Sequence, residues 1–374
     1  MTFNPALHGL RGLAALLVLL FHWNGTFPVL GREWMNVPWL GTQWDLFFFV
    51  RLGWIGVDWF FVLSGFLLAA GLWHQPINTA STLQFWQRRV VRIYPGAWVH
   101  LWVLMLSLYG LGFLTAIPWA QLAINMTLWV VPMPFGAQRL NDVFWTLPLE
   151  LCFYLSLPFW IWLQRKIGTV PVVLWALAIT LVWRFGVIWA HENGYDGPGL
   201  GYVRYSYPGI LFVFMAGFAI NHFTQNNTPP LSDRQRWLLL AVILVAYYLW
   251  LKVLVNRRGE VPNTDWLLTL WELGAAALIA VLLALMLRPL KGLGWLASKP
   301  LVWLGEISFG IYLWHFPIFR LMPKLMPGTF TTALDCLWAL AIGLSLTLVL
   351  AWASFKWLEQ PLIRACSKAQ AQPV

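Results

Sequence analysis

Arg11 and His22 stand 11 residues apart in an apolar stretch near the start of the chain. On a helix, 11 steps of 100° return to within about 20° of the starting face, so the two side chains point the same way, roughly 16 Å apart along the axis. A guanidinium can hold phosphates in bidentate fashion. An imidazole can take a proton from a hydroxyl near neutral pH. A donor with a phosphorylated head and a reactive group on a long thin arm would bridge the pair, and coenzyme A thioesters have that shape. The alternative is that Arg11 marks membrane orientation and His22 is a hydrogen-bonded structural residue. A second basic group, Arg88-Arg89-Val90-Val91-Arg92, puts Arg88 and Arg92, or Arg89 and Arg92, on one helical face. It reads either as a second grip on the donor's phosphates or adenosine, or as an anchor for anionic lipid.

Other ionisable residues fall inside apolar segments: Asp58, Glu150, Arg184, Glu272 and His315, with Glu306 and Glu359 nearer segment ends. Charges at membrane depth are expensive and are functional candidates by default. At 1.5 Å per residue, Glu150 lies about 12 Å inside one end of its segment, and Asp58 and Glu272 about 8–9 Å inside theirs. Arg184 and His315 enter from the opposite side and reach past the midplane. The acids and His315 favour one half of the bilayer and the Arg clusters the other mouth. That asymmetry suggests two ligands meeting from opposite faces. No acidic cluster has metal-ligand spacing, so no metal is expected.

The elements that must position these groups are membrane helices. The chain has 374 residues, of which 60% are hydrophobic and only 10% charged, against roughly 25% charged in a soluble domain. Mean hydropathy is +0.68, too apolar for a wettable globule. Long unbroken apolar runs exclude a β-barrel, which would alternate. The fold class is therefore all-α, a polytopic membrane protein of about ten transmembrane helices. The segments run at roughly 7–27, 53–74, 93–116, 142–164, 169–191, 203–223, 236–256, 266–287, 299–321 and 334–358. The stretch 118–134, bracketed by Pro118, Pro132 and Pro134, is short enough to be an interfacial or re-entrant piece.

Ten spans put both termini on one side. With the N-terminus cytoplasmic, 14 of the 24 Lys and Arg lie at inner ends and loops and nine outside, the expected bias. The net charge of +10 then reports orientation and contact with membrane lipids. There is no soluble basic face for nucleic acid. Cys152, Cys336 and Cys366 are odd in number and scattered, so they read as small packing residues. No cleavable signal is visible: the first apolar run carries Arg11 and His22 and lacks a small-residue cleavage site. Residues 1–374 read as one integral membrane domain, with 365–374 as a short cytoplasmic tail.

Several segments together resemble a known family. Leu10-Arg11-Gly12 leading to His22 resembles the Arg-x10-His opening of the acyltransferase 3 family of integral membrane acyltransferases. Gly56-Val57-Asp58-Trp59-Phe60-Phe61-Val62-Leu63-Ser64-Gly65-Phe66 is similar to its most distinctive segment, and Arg89-Val90-Val91-Arg92 to its Arg-x-x-Arg pair. Trp145-Thr146-Leu147-Pro148-Leu149-Glu150, followed by Phe153-Tyr154, resembles its Trp-Ser-Leu-x-x-Glu stretch, departing at Thr146 and Pro148. Ser308-Phe309-Gly310-Ile311-Tyr312-Leu313-Trp314-His315-Phe316-Pro317 resembles a late motif, with Phe309 in place of Tyr, and Glu359-Gln360-Pro361 also fits. The matches run in order from residue 7 to about 364.

The resemblance implies an O-acyltransferase of the cell envelope in a bacterial cytoplasmic membrane. Its donor would be cytoplasmic acyl-CoA, commonly acetyl-CoA. Its acceptor would be a hydroxyl on a surface carbohydrate or a lipid-linked glycan. The chain leaves no room for the extra extracytoplasmic domain some members carry, so it resembles the stand-alone type. The resemblance makes His22 the catalytic histidine and Arg11 its motif partner, with Arg89 and Arg92 on the donor and Arg88 beside them. An imidazole in apolar surroundings stays neutral, which suits a base. Glu150 or Asp58 would orient its other nitrogen. His315 and Trp314 would line the acceptor path, with Ser64 and Tyr312 from the same motifs. The residues Trp54, Trp59, Phe60 and Phe61 either stack on sugar rings or form a lipid-facing belt. Rival classes are a transporter or flippase of lipid-linked sugars, a membrane glycosyltransferase and a non-catalytic scaffold. The first lacks its usual internal repeat, and the second its long outer loop bearing acids.

Overall fold

The computed structural model describes residues 4–28, 36–39, 42–45, 48–116, 118–130, 139–195, 203–225, 231–257 and 266–371. Helix α1 spans Pro5–Thr26, started by Pro5 at its first position and by the Asn4 side chain accepting from the Ala6 amide. A two-stranded hairpin, β1 (Asn36–Trp39) and β2 (Thr42–Asp45), leads through a 3-10 turn at Gly53–Ile55 into α2, Gly56–Leu72. Helix α3 spans Thr79–Gly110 and α4 spans Trp119–Met126. Then come α5 (Leu147–Ile167), α6 (Thr169–Glu192), α7 (Tyr207–Gln225), α8 (Asp233–Arg257) and α9 (Trp266–Met286). The chain closes with α10 (Lys299–Glu306), α11 (Ser308–Leu325), α12 (Ala333–Ser354), a π turn at Phe355–Glu359 and α13 (Gln360–Ala371).

Among the described residues, nine helices are long and apolar enough to cross a membrane, and the bent pair α10–α11 supplies a tenth if counted as one span. Helices satisfy their own backbone groups, which a lipid core demands. Large apolar side chains such as Trp175, Val182, Val242 and Trp338 are exposed on α6, α8 and α12, a surface suited to acyl chains. The chain is a polytopic all-α membrane protein.

Two sequence boundaries shift. Helix α3 begins at Thr79 rather than near 93, because Asn78 and Ser81 form a capping box there. Arg88, Arg89 and Arg92 therefore lie within it, four turns of helix having formed before the apolar run starts. Beyond residue 358 the chain stays helical to Ala371 and packs along α3, where the Gln370 amide donates to the Gln84 carbonyl. The stretch 118–134 is a single short helix in its first half, and its residues 131–134 lie outside the described residues. Arg32 and Arg258, counted above for orientation, are also outside them.

The central helices approach closely through glycine. A Cβ on Gly65 of α2 would run into the Phe214 carbonyl of α7, and a Cβ on Gly217 of α7 into the Val62 carbonyl of α2. Small residues at crossings let backbones touch where no hydrophobic force drives helices together. The Asn221 amide donates to the Phe66 carbonyl at 3.0 Å and pins the same crossing. Gly217→Ala is expected to cost about 1–3 kcal/mol through overpacking, measurable as a lower Tm in detergent. An unchanged Tm would mean the crossing yields freely. The same device holds α1 against α10, where Gly305 meets the His8 carbonyl and Gly12 faces Leu301.

Candidate active site

His22 lies in the last turns of α1 and His315 lies two turns into α11, and the two rings meet. His315 Nδ1 is 2.9 Å from the Ile311 carbonyl oxygen, and His315 Nε2 is 3.0 Å from His22 Nδ1. A carbonyl only accepts, so His315 Nδ1 carries the hydrogen and the Nε2 of the neutral ring is an acceptor. His22 Nδ1 must then be the donor, shared with the Val18 carbonyl at 3.0 Å. The consequence is a defined tautomer: His22 Nε2 is left unprotonated, with its lone pair available. Phe21 and Phe316 meet the His22 ring edge-on, both at 5.0 Å between centroids, and fix its plane.

His22 lines a cavity of about 320 Å³ whose other walls include Trp54, Asp58, Asp142, Trp145 and Glu272. Arg139 joins them, 3.9 Å from Asp142. Asp58 is buried, and its Oδ2 has no hydrogen-bond partner among the described residues. Glu272 pairs with Arg184, a fully buried guanidinium that also donates to the carbonyls of Gly209 at 2.6 Å and Thr269 at 2.7 Å. Carboxylates beside indole rings offer acceptors for hydroxyls and flat apolar faces, the mixture a hydroxylated ring requires.

A second cavity, of about 310 Å³, opens at the other end of α1 and takes Arg11, Arg89, Arg92, His8 and Glu150 into its walls. Glu150 accepts from the Tyr154 hydroxyl at 3.0 Å and from Ser64 Oγ at 3.4 Å. Three guanidiniums against one carboxylate leave this cavity with an excess of positive charge, which suits a polyanion. The two cavities are neighbours. Val57 lines both, while the 3-10 turn at Asp142–Thr146 gives Val143 and Trp145 to one and Thr146 to the other. Tyr312 belongs to the same partition: its hydroxyl donates to the Val143 carbonyl at 2.7 Å and accepts from Thr146 Oγ1 at 2.9 Å.

The sequence-predicted residues thus separate into two groups. Arg11, Arg89, Arg92, Glu150, Ser64 and Tyr312 line the basic cavity, and His22 and Asp58 line the other. Neither Glu150 nor Asp58 orients His22 Nδ1, because His315 and the Val18 carbonyl occupy that nitrogen. Arg88 is not among the residues lining the basic cavity. It stands 100° around the helix from Arg89 and donates to Gln370 Oε1 at 2.6 Å. Trp314 lines neither cavity, since it points 100° away from His315 and packs edge-on against His100 at 4.5 Å. His315 itself touches His22 and is not among the residues lining either cavity. Of the aromatic residues, Trp54 lines the His22 cavity, Phe60 and Phe61 the basic one, and the Trp59 indole donates to the Tyr247 hydroxyl; Phe61 is buried and the other three are partly buried.

Sequence reasoning missed Arg139, Asp142 and Tyr205 of the His22 cavity, which come from between helices and have no periodicity to flag them. Ser308 of the basic cavity was visible only as part of a motif. Among the described residues no disulfide joins Cys152, Cys336 or Cys366. Among the described residues no three His, Cys, Asp or Glu converge as metal ligands.

The chain is similar to peptidoglycan O-acetyltransferase OatA of Listeria monocytogenes, at 26% identity over 96% of this chain and 56% of that protein. It is also similar, at 24% identity over 96% of its length, to YrhL of Bacillus subtilis, a provisionally assigned peptidoglycan O-acetyltransferase of which it covers 55%. The chain therefore spans just over half the length of these relatives. No solved structure matches it. The family model described as an acyltransferase domain matches residues 4–356, and with the paired cavities along α1 and the two motif histidines in contact, the chain belongs to the acyltransferase 3 family of integral membrane acyltransferases.

Proposed function

We propose that this protein transfers an acetyl group from acetyl-CoA to a hydroxyl of a cell-envelope glycan, with His22 as the general base. One observation carries the reading: the lone pair of His22 Nε2 belongs to a ring lining a polar cavity, one layer of residues from a cavity rich in arginine. The donor's phosphates sit with Arg11, Arg89 and Arg92, and the thioester arm passes Val57, Thr146 and Tyr312 to reach His22. Imidazole Nε2 takes the proton of the acceptor hydroxyl as its oxygen attacks the thioester carbonyl. The C–S bond then breaks, and the departing thiolate takes the proton back from His22. Stabilisation of the transient imidazolium falls to His315, whose Nε2 accepts from His22 Nδ1.

With both termini cytoplasmic, the arginine cavity faces the compartment that holds acyl-CoA and the His22 cavity faces the envelope. The names of the two relatives make peptidoglycan the first acceptor to try. The whole chain acts as one domain, with residues 365–374 on the cytoplasmic side.

The test is transfer of label from radioactive acetyl-CoA to alkali-labile esters on glycan in membranes containing the protein. Label should depend on the protein and on CoA. Arg11→Ala should raise the KM for acetyl-CoA about 10-fold while saturating donor restores kcat, the mark of lost ground-state binding. Ester formation that ignores acetyl-CoA would overturn the donor. Arg11→Ala with an unchanged KM would remove Arg11 from it.

A further inference from the structure

Helices α10 and α11 are two parts of one broken element, meeting at 73° around Ile307. Helix α11 is 18 residues long and starts at Ser308 with no side-chain cap. A helix leaves its first N–H groups without intrahelical partners, and those groups carry the positive end of its dipole. The space they face is the arginine cavity, because Ser308 and Phe309 line it. Ser308 is fully buried and its Oγ has no hydrogen-bond partner among the described residues. Arg89 Nε, in the same wall, is equally unpartnered. Buried polar groups are normally satisfied, so an orphaned hydroxyl and an orphaned guanidinium N–H in one cavity indicate a ligand that completes both.

The break is held in place. Gly305 abuts the His8 carbonyl, and a Cβ on Gly12 would lie 2.8 Å from the Leu301 carbonyl oxygen, so α10 is clamped on α1 one residue from Arg11. We infer that Ser308 and the amino end of α11 form a phosphate seat, shared with Arg11 and Arg89, that takes the diphosphate of the donor. The inference rests on the acyl-CoA reading above and adds a helix terminus and a hydroxyl to it. A phosphate matches the donor set: backbone N–H groups, one hydroxyl and guanidiniums all donate, and an anion at a helix N-terminus is favoured twice over. The thioester carbonyl is excluded as the occupant by distance. Ser308 precedes His315 by seven residues, about 10 Å along α11, whereas reacting atoms must come within about 3–3.5 Å of each other. The diphosphate is the end from which the pantetheine arm leaves, so seating it here aims the arm along α11 toward the histidine pair.

The full chain in detergent should be titrated with acetyl-CoA, with acetyl-dephospho-CoA, with S-acetylpantetheine and with inorganic pyrophosphate. Ser308→Ala is expected to weaken acetyl-CoA and acetyl-dephospho-CoA alike, about 10-fold, and to lower pyrophosphate affinity similarly. Binding of S-acetylpantetheine should not change. Should Ser308→Ala fold poorly, Ser308→Thr, which keeps the hydroxyl, is expected to retain wild-type affinity, and Ser308→Cys to lose it. Unchanged affinity for both CoA forms in Ser308→Ala would overturn the seat. A loss shared by S-acetylpantetheine would overturn it too, since it would place Ser308 on the arm. A loss confined to acetyl-CoA and absent with the dephospho form would assign the contact to the 3′-phosphate and overturn the diphosphate assignment. Pyrophosphate binding that depends on Ser308 in a protein that ignores acetyl-CoA would keep the seat and overturn the donor.

Discussion

Acetyl transfer is expected to fall by about 10²–10⁴-fold in His22→Ala, the range over which a positioned general base contributes. His315→Leu is expected to lose about 10–100-fold, the usual cost of removing the group that orients a working histidine. The smaller loss has a structural cause. The Val18 carbonyl also accepts from His22 Nδ1, so the tautomer with a free Nε2 survives the loss of His315. What disappears is the acceptor that steadies the ring and stabilises positive charge on it during transfer. His315→Gln supplies an amide oxygen near the lost Nε2 and is expected to recover much of the rate. Both histidine effects should appear in kcat, with the KM for acetyl-CoA unmoved, because the arginines proposed to hold the donor line the other cavity. Arg11→Ala should show the opposite split. Steady-state kinetics on membranes distinguishes these outcomes. A His22→Ala protein that transfers like wild type would end the mechanism, and a His315→Leu protein that does so would end the positioning role.

Much of this arrangement was legible in the chain because helices convert spacing into direction. The 11-residue spacing of Arg11 and His22 puts both on the inner side of α1, and the structure gives each its own cavity. The two cavities share a wall and lie toward opposite ends of α1. What spacing could not reveal was the contact of His22 with His315, 293 residues away. It depends on how α1 and α11 pack, which no spacing within either helix encodes. The choice of Glu150 or Asp58 as the orienting group rests on spacing alone, which cannot register the His22–His315 contact. Depth along a helix makes both acids candidates, but packing decides which cavity a side chain enters: Glu150 lines the arginine cavity and Asp58 the His22 cavity. Arg88 shows how little rotation is needed, since one residue separates it from Arg89 and takes it out of the site.

Arg184 and Glu272 carry the second large expectation. Each was visible in the sequence as an unwelcome charge at membrane depth, of opposite sign and in the same half of the bilayer, and a lipid-embedded charge must find a partner. They form the buried pair that joins α6 to α9, and Arg184 spends its other donors on the Gly209 and Thr269 carbonyls. Arg184→Met is therefore expected to destabilise the protein by about 3–5 kcal/mol, mostly by leaving Glu272 buried and uncompensated. Thermal unfolding in detergent, followed by tryptophan fluorescence, should register the loss. Replacing both residues, as Arg184→Met with Glu272→Leu, should restore most of the stability, since the isolated charge is the costly element and a fitted apolar pair is not. Transfer activity should not recover with it. Glu272 is part of the wall of the His22 cavity, so the double variant removes a carboxylate from the space proposed for the acceptor hydroxyl. A single variant as stable as wild type would show that water or another cation reaches Glu272. A double variant less stable than the single one would locate the stabilisation in packing around the guanidinium instead of in its charge.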